Sequence, residues 1–320
     1  MLSRRHLRTK VLQALYAYFQ SGDHQIDQGE KQLLLSINKL HELFIYQLSF
    51  LIETARYAEK RLEEGRRKHL PTAEDLNPNM RFAEMQLLAR IDENKEFRRM
   101  EKLYRINWSQ EQDLIRKFYN LIRESDDFER YMSAEKTGFA AEKKFLATIA
   151  EKYFSIFDLL QSFYEEKSIY FVDDYHLVTY LVVKFFKGIE DDFRPESQLP
   201  PLLKSETEDE NEDLDFVKKL FRETVMHSDE YGQLIAATTQ NWEQDRIAIM
   251  DMIILKMALA ELVSFPSIPV KVTMNEYIDI SKYFSTARSK VFVNGVLDKL
   301  IHDFRAGGKI VKTGRGLLDD

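Results

Sequence analysis

The chain has 320 residues, is 44% hydrophobic and 31% charged, and carries a formal net charge of −7. That is enough apolar material for one large core or two ordinary ones, and too acidic a balance to bind a polyanion by bulk charge, so any nucleic-acid site must be a local basic patch. The absence of cysteine excludes disulfides, thiolate zinc sites and a cysteine nucleophile, and fits a reducing cytoplasm.

The predicted elements are all helical, and only 11 glycines and 7 prolines punctuate them. Residues 4–20 form an amphipathic helix with Leu7, Val11, Ala14, Leu15 and Tyr18 on one face. Arg4, Arg5, Arg8 and Lys10 crowd its first turns, where cations oppose the helix dipole; a disordered basic start is the alternative. A second long helix covers 30–68 and ends in the basic run Arg66-Arg67-Lys68-His69. Further helices are expected over 80–105, 109–133, 139–165 and 169–187, the third carrying an apolar stripe of Phe145, Ile149, Phe154, Ile156, Phe157 and Leu160. The apolar run at 177–183 is far too short to span a bilayer, and no secretory signal is visible.

Residues 194–215 hold three prolines, Pro195, Pro200 and Pro201, and the acids Glu206, Glu208, Asp209, Glu210, Glu212 and Asp213, which together read as a solvated linker. Helices resume over 213–228, 229–241, 244–263, 271–284 and 289–305, with Ser289 as the expected N-cap of the last. The tail from Ala306 reads as mobile.

Catalytic motifs are missing. GGKIVKTGRG at 307–316 has the letters of a phosphate loop without the preceding strand or following helix. His176 follows Asp173 and Asp174, but no histidine has metal-ligand spacing, and a surface or core role is the expectation. No nucleophile elbow or acid–base pair stands out. The expectation is a non-enzyme with no cofactor and no metal.

The run SKVFVNGVLDKL, 289–300, poses a specific question. Val293, Val296, Leu297 and Leu300 share a helical face, yet Asn294-Gly295 interrupts it, and a mid-helix glycine costs about 1 kcal/mol relative to alanine. The expected reasons are a hydrogen bond from Asn294 to the preceding loop and close approach of another helix at Gly295.

The arginine-rich start running into QALY (13–16), PVKVTMNE (269–276) and FVNGVLDK (292–299) resemble the NusB transcription antitermination family. The resemblance covers roughly 1–22 and 213–305. It implies an all-α fold of packed helical bundles. The implied division is a first helix at 1–22, a helical insertion at 23–193, the acidic linker at 194–212, the rest of the NusB-like core at 213–305, and a flexible tail at 306–320. It also implies binding of boxA-type single-stranded RNA together with the ribosomal protein NusE, in an RNA polymerase antitermination complex in the cytoplasm, with no membrane partner. A homodimer is left open.

Carried onto this chain, the RNA contacts are Arg4, Arg5, Arg8, Lys10, Arg288, Ser289, Lys290 and Phe292, the last as an exposed ring for base stacking beside cations. His6 replaces a family arginine, Val291 stands where a lysine is frequent, and Arg288 stands where one branch has an acid. The implied NusE contacts are Tyr16, Asp245 and Asp251. NusB-like domains also front RNA cytosine methyltransferases, a reading the missing cysteine opposes. A third reading keeps the fold as a scaffold whose insertion recruits other partners.

Overall fold

The computed structural model describes residues 2–22, 25–136, 138–204, 211–239 and 248–318. Every regular element among them is helical, and none is long and apolar enough to cross a membrane. The chain forms two compact units, residues 1–37 with 202–320, and residues 38–201.

Helix α1 (Arg4–Ser21) is ordered from its first turn. The Ser3 hydroxyl accepts from the His6 amide, and His6 Nδ1 accepts from the Ser3 amide at 3.2 Å, a capping box with histidine in place of the usual glutamate. Gly22, at φ 68°, ends the helix in the left-handed conformation. Helix α2 (Ile26–Arg66) begins in the first unit and continues into the second. At Gly29 a Cβ would meet the Phe221 ring at 2.6 Å and the Tyr18 ring at 2.9 Å, so the missing side chain lets three segments of the first unit close together.

The second unit continues with α3 (Ala73–Leu76), α4 (Gln86–Glu93), α5 (Lys95–Leu103), α6 (Gln112–Arg123), α7 (Asp126–Ser133), α8 (Phe139–Ile149), α9 (Asp158–Lys167) and α10 (Tyr175–Gly188). Three long helices expected from periodicity are broken here, each for a local reason. Asn94 splits 80–105: its side chain accepts from the Phe97 amide at 2.9 Å and donates to the Ser197 carbonyl at 2.7 Å. Ser125 splits 109–133 by capping the Phe128 amide. A π-helical turn over Ala150–Phe154 interrupts 139–165. Its wider winding shifts the apolar stripe, so Phe154, Phe157 and Leu160 are buried while Ile156, expected on the same face, is 62% exposed. The unit's core is aromatic, with the Phe50 ring in contact with Trp108, Phe118 and Phe154, and the Trp108 indole donates to Ser49.

The first unit resumes with α11 (Glu212–Met226), α12 (Ser228–Thr238), α13 (Ile249–Ser264), α14 (Val270–Phe284) and α15 (Ser289–Ala306). Helix α13 is its centre, packing against α1, α11, α12, α14 and α15, and its nearly unbroken apolar sequence follows from burial on all sides. Two expectations change here. Asp213 belongs to no solvated linker: it is buried in the first turn of α11 and accepts from the Lys204 amide at 2.6 Å; Glu206, Glu208, Asp209 and Glu210 lie outside the described residues. The tail is docked. Buried Lys312 donates to the Leu262 and Phe265 carbonyls, both at 3.0 Å, satisfying acceptors at the end of α13. Thr313 N–H donates to Pro266 O at 3.0 Å, and Gly316 sits so close that a Cβ would stand 2.1 Å from the same oxygen.

Candidate nucleic-acid interface

The expected RNA-contacting arginines form a graded series from surface to core. Arg8 is buried and joins α1 to α13 and α14: its guanidinium donates to both carboxylate oxygens of Glu261 at 2.8 Å. Glu261, itself fully buried, also accepts from Thr273 Oγ1 at 2.8 Å and from the Tyr277 hydroxyl at 3.1 Å. Burial alone would lower the Arg8 pKa, but the hydrogen bonds and charge of Glu261 hold it above the ordinary value. Arg8 is therefore a structural clamp, which corrects its assignment as an RNA contact. Lys10 is likewise buried rather than presented to solvent.

Arg5 is half exposed and donates to Glu276 at 2.8 Å and Asp279 at 2.9 Å; the Glu276 hydrogen bond is the largest cause of its raised pKa. Arg4 bridges Glu212 at 2.6 Å and Asp213 at 3.2 Å, with its guanidinium 4.4 Å from the centre of the Phe216 ring. Apart from the contact with buried Asp213, these ion pairs stand at the surface, where exchange of a carboxylate for a phosphate costs little.

At the start of α15, Arg288 and Lys290 are exposed and make no ion pair among the described residues, whereas Ser289 and Phe292 are buried. The Ser289 hydroxyl is not a helix cap. It accepts from the Thr286 amide and donates to Asp251 at 2.7 Å, holding the loop before α15 against the first turn of α13. Two corrections follow. Phe292 offers no face to a base, because the helix turns it into the core, and Val291 is the exposed apolar residue of that turn. Asp251 faces inward to Ser289 and offers no surface carboxylate to a protein partner. Of the other expected NusE contacts, Tyr16 is exposed on α1 and Asp245 lies outside the described residues.

The Asn294-Gly295 pair also differs from expectation. Asn294 reaches forward to Asp298 at 3.3 Å rather than back to the loop, and a Cβ at Gly295 would meet nothing within 4 Å. Among the described residues, no neighbouring helix needs that glycine.

Two grooves run along this side of the first unit. One, of about 1010 Å3, is bounded by the start of α1, by α11, by the start of α14 and by the docked tail; its lining includes Arg4, Arg5, Lys219 and Arg315. The other lies beside α14 and α15, where Arg5, Lys282, Lys290 and Asn294 meet. They share Arg5, Val272 and Glu276. Sequence reading missed Lys219 and Arg315. Arg315 sits in the glycine-rich run that fails as a phosphate loop, and nothing marks Lys219 out. Glu261 had a legible signal, a lone carboxylate inside the apolar run LKMALAELV, where a buried charge requires a cationic partner.

The model of the NusB family matches residues 182–302. A transcription antitermination protein NusB from Salinibacter ruber is 41% identical over 123 residues, covering 38% of this chain and 77% of that protein. The chain belongs to the NusB family. Proteins of the same name from Chloroherpeton thalassium and Symbiobacterium thermophilum are 37% and 36% identical over 33% and 30% of this chain, and over 50% and 63% of their own lengths. No solved structure gave a significant match. NusB membership, rather than any missing catalytic group, places the chain outside the enzymes. Helix α1 and the docked tail both lie outside the range matched by the family model.

Proposed function

We propose that this chain is an RNA-binding transcription antitermination factor that takes boxA-type single-stranded RNA together with NusE and so suppresses termination in ribosomal RNA transcription. The observation that carries the reading is the surface at the start of α15. Arg288 and Lys290 stand there without an ion pair among the described residues, and Lys290 shares a groove with Arg5 of the arginine-rich helix. Cations held on two rigid helices can bind successive phosphates of an extended strand. Apolar contact with bases at that turn falls to Val291, since Phe292 is turned inward. Gly295, with nothing within 4 Å of a Cβ among the described residues, lets a strand approach the α15 backbone closely. NusE docking rests on exposed Tyr16 together with family membership.

The test is a titration of labelled boxA-type RNA with wild-type protein and with Arg288→Ala and Lys290→Ala, each alone and with purified NusE. Both substitutions weaken binding, and each lowers the log–log salt slope by about 0.7, the value for one lost single-strand phosphate contact. NusE tightens the wild-type complex. Unchanged affinity and slope in both variants would remove the α15 surface from the RNA path.

A further inference from the structure

The docked tail raises a separate question. Residues 309–318 lie outside the range matched by the family model, yet they are fixed at two points. Lys312 is buried on the carbonyls that end α13, and Gly316 is pressed against Pro266. Between these anchors a short 3-10 turn, Gly314–Leu317, presents Arg315 to the groove at the start of α1. Arg315 is exposed and makes no ion pair or hydrogen bond through its side chain among the described residues. Lys219, across the same groove, stands 5.0 Å from the centre of the Phe265 ring and makes no ion pair among the described residues.

We propose that this tail extends the RNA path, with Arg315 and Lys219 taking phosphates of the strand beyond the segment held at Arg5 and Lys290. The inference rests on the RNA-binding reading above. Three features point to a nucleic acid strand as occupant. The groove lining carries five cationic side chains against three carboxylates. The arginines of α1 have carboxylate partners that a phosphate must displace, whereas Arg315 and Lys219 make no ion pair among the described residues. The groove adjoins the one that holds Lys290, the two sharing Arg5, Val272 and Glu276 in their linings, so the proposed strand runs from α15 across these residues to the tail. Helices α1 and α14 both open into it with no acid in their first turns, so their positive dipole ends add to the attraction for a phosphate.

The experiment compares the full chain with Arg315→Ala, Lys219→Ala and Gly316→Ala, using a labelled boxA-type RNA and versions extended by about six nucleotides at either end. Thermal melting checks that each variant is folded. With wild type, one extended RNA binds more tightly than the minimal one. Arg315→Ala and Lys219→Ala remove that gain and lower the salt slope by about 0.7 each for the extended RNA, leaving the minimal RNA unaffected. Gly316→Ala, which forces the tail off Pro266, removes the gain with Arg315 still present. If the Arg315 and Lys219 variants bind every RNA as wild type does while Lys290→Ala weakens all of them, the tail has no part in the path and the RNA-binding reading stands. If wild type fails to prefer boxA-type RNA over a scrambled control, that reading falls and takes this one with it.

Discussion

Arg4, Arg5 and Arg8 sit within one turn and a half of α1 and look equivalent as letters, yet their environments differ completely. The partners that set them apart, Glu212, Glu276 and Glu261, lie more than 200 residues away, so pattern alone has no means of ranking them. Removing one member of a buried, hydrogen-bonded pair leaves an uncompensated charge. Arg8→Ala therefore costs about 3–5 kcal/mol, while Arg5→Ala, at the surface, costs about 1 kcal/mol or less. Urea unfolding of the two variants checks this; equal midpoints would contradict the division into clamp and surface arginine. A loss of RNA binding in Arg8→Ala is accordingly a folding effect. Gly295 gives the opposite case. An added Cβ would meet nothing within 4 Å among the described residues, so Gly295→Ala raises stability by up to about 1 kcal/mol. The same variant binds boxA-type RNA more weakly, because the added methyl group stands between strand and backbone. A gain in stability with no loss of affinity would leave the glycine without a binding role.

Periodicity finds helices well and finds their interruptions poorly. The stretches 80–105 and 109–133 kept an apolar rhythm across Asn94 and Ser125, because each cap sits where the rhythm has a polar residue anyway. Asn94 is fully buried and holds both the start of α5 and the Ser197 carbonyl, so Asn94→Ala destabilises the second unit by more than the ~1 kcal/mol of an ordinary cap. Denaturant unfolding measures the cost; a change below that value would mean water replaces the side chain freely. The cap of α1 responds to pH. Burial first, then the charge of Arg5, lowers the His6 pKa below its ordinary 6.5, and the neutral ring accepts from Ser3. The unfolded chain thus binds the proton more readily. The cap's contribution is complete above about pH 6.5 and is lost as pH falls from there through the folded value. Glutamine keeps an acceptor without titrating, so wild type loses stability relative to His6→Gln on acidification through that window. Parallel pH profiles would contradict the histidine cap. The tail belongs to the same scale. Its glycines and charges suggested mobility, and its docking depends on Pro266 and Lys312 meeting in space, which no local pattern announces.

For the whole molecule, residues 1–22 and 213–305 are legible as a family resemblance, and the stretch between them as helices without a counterpart. The division between the two compact units falls at 37/38 and 201/202. The first boundary lies inside the uninterrupted helix α2, where no proline, glycine or change of composition marks it. The second coincides with Pro200-Pro201, which sequence reading had taken into a longer linker. The acidic net charge sits on the molecule as a whole, while the proposed RNA path is a local strip on one unit in which cations outnumber carboxylates. Strong, salt-sensitive binding by an acidic protein is therefore the behaviour to look for. The measurement to make is fluorescence anisotropy of boxA-type RNA against a scrambled RNA of equal length at about physiological salt, with and without NusE. Tighter binding to boxA-type RNA, strengthened by NusE and weakened by Lys290→Ala, is the predicted result. Equal weak binding to both RNAs, indifferent to NusE, would mean that the NusB fold persists here without that task.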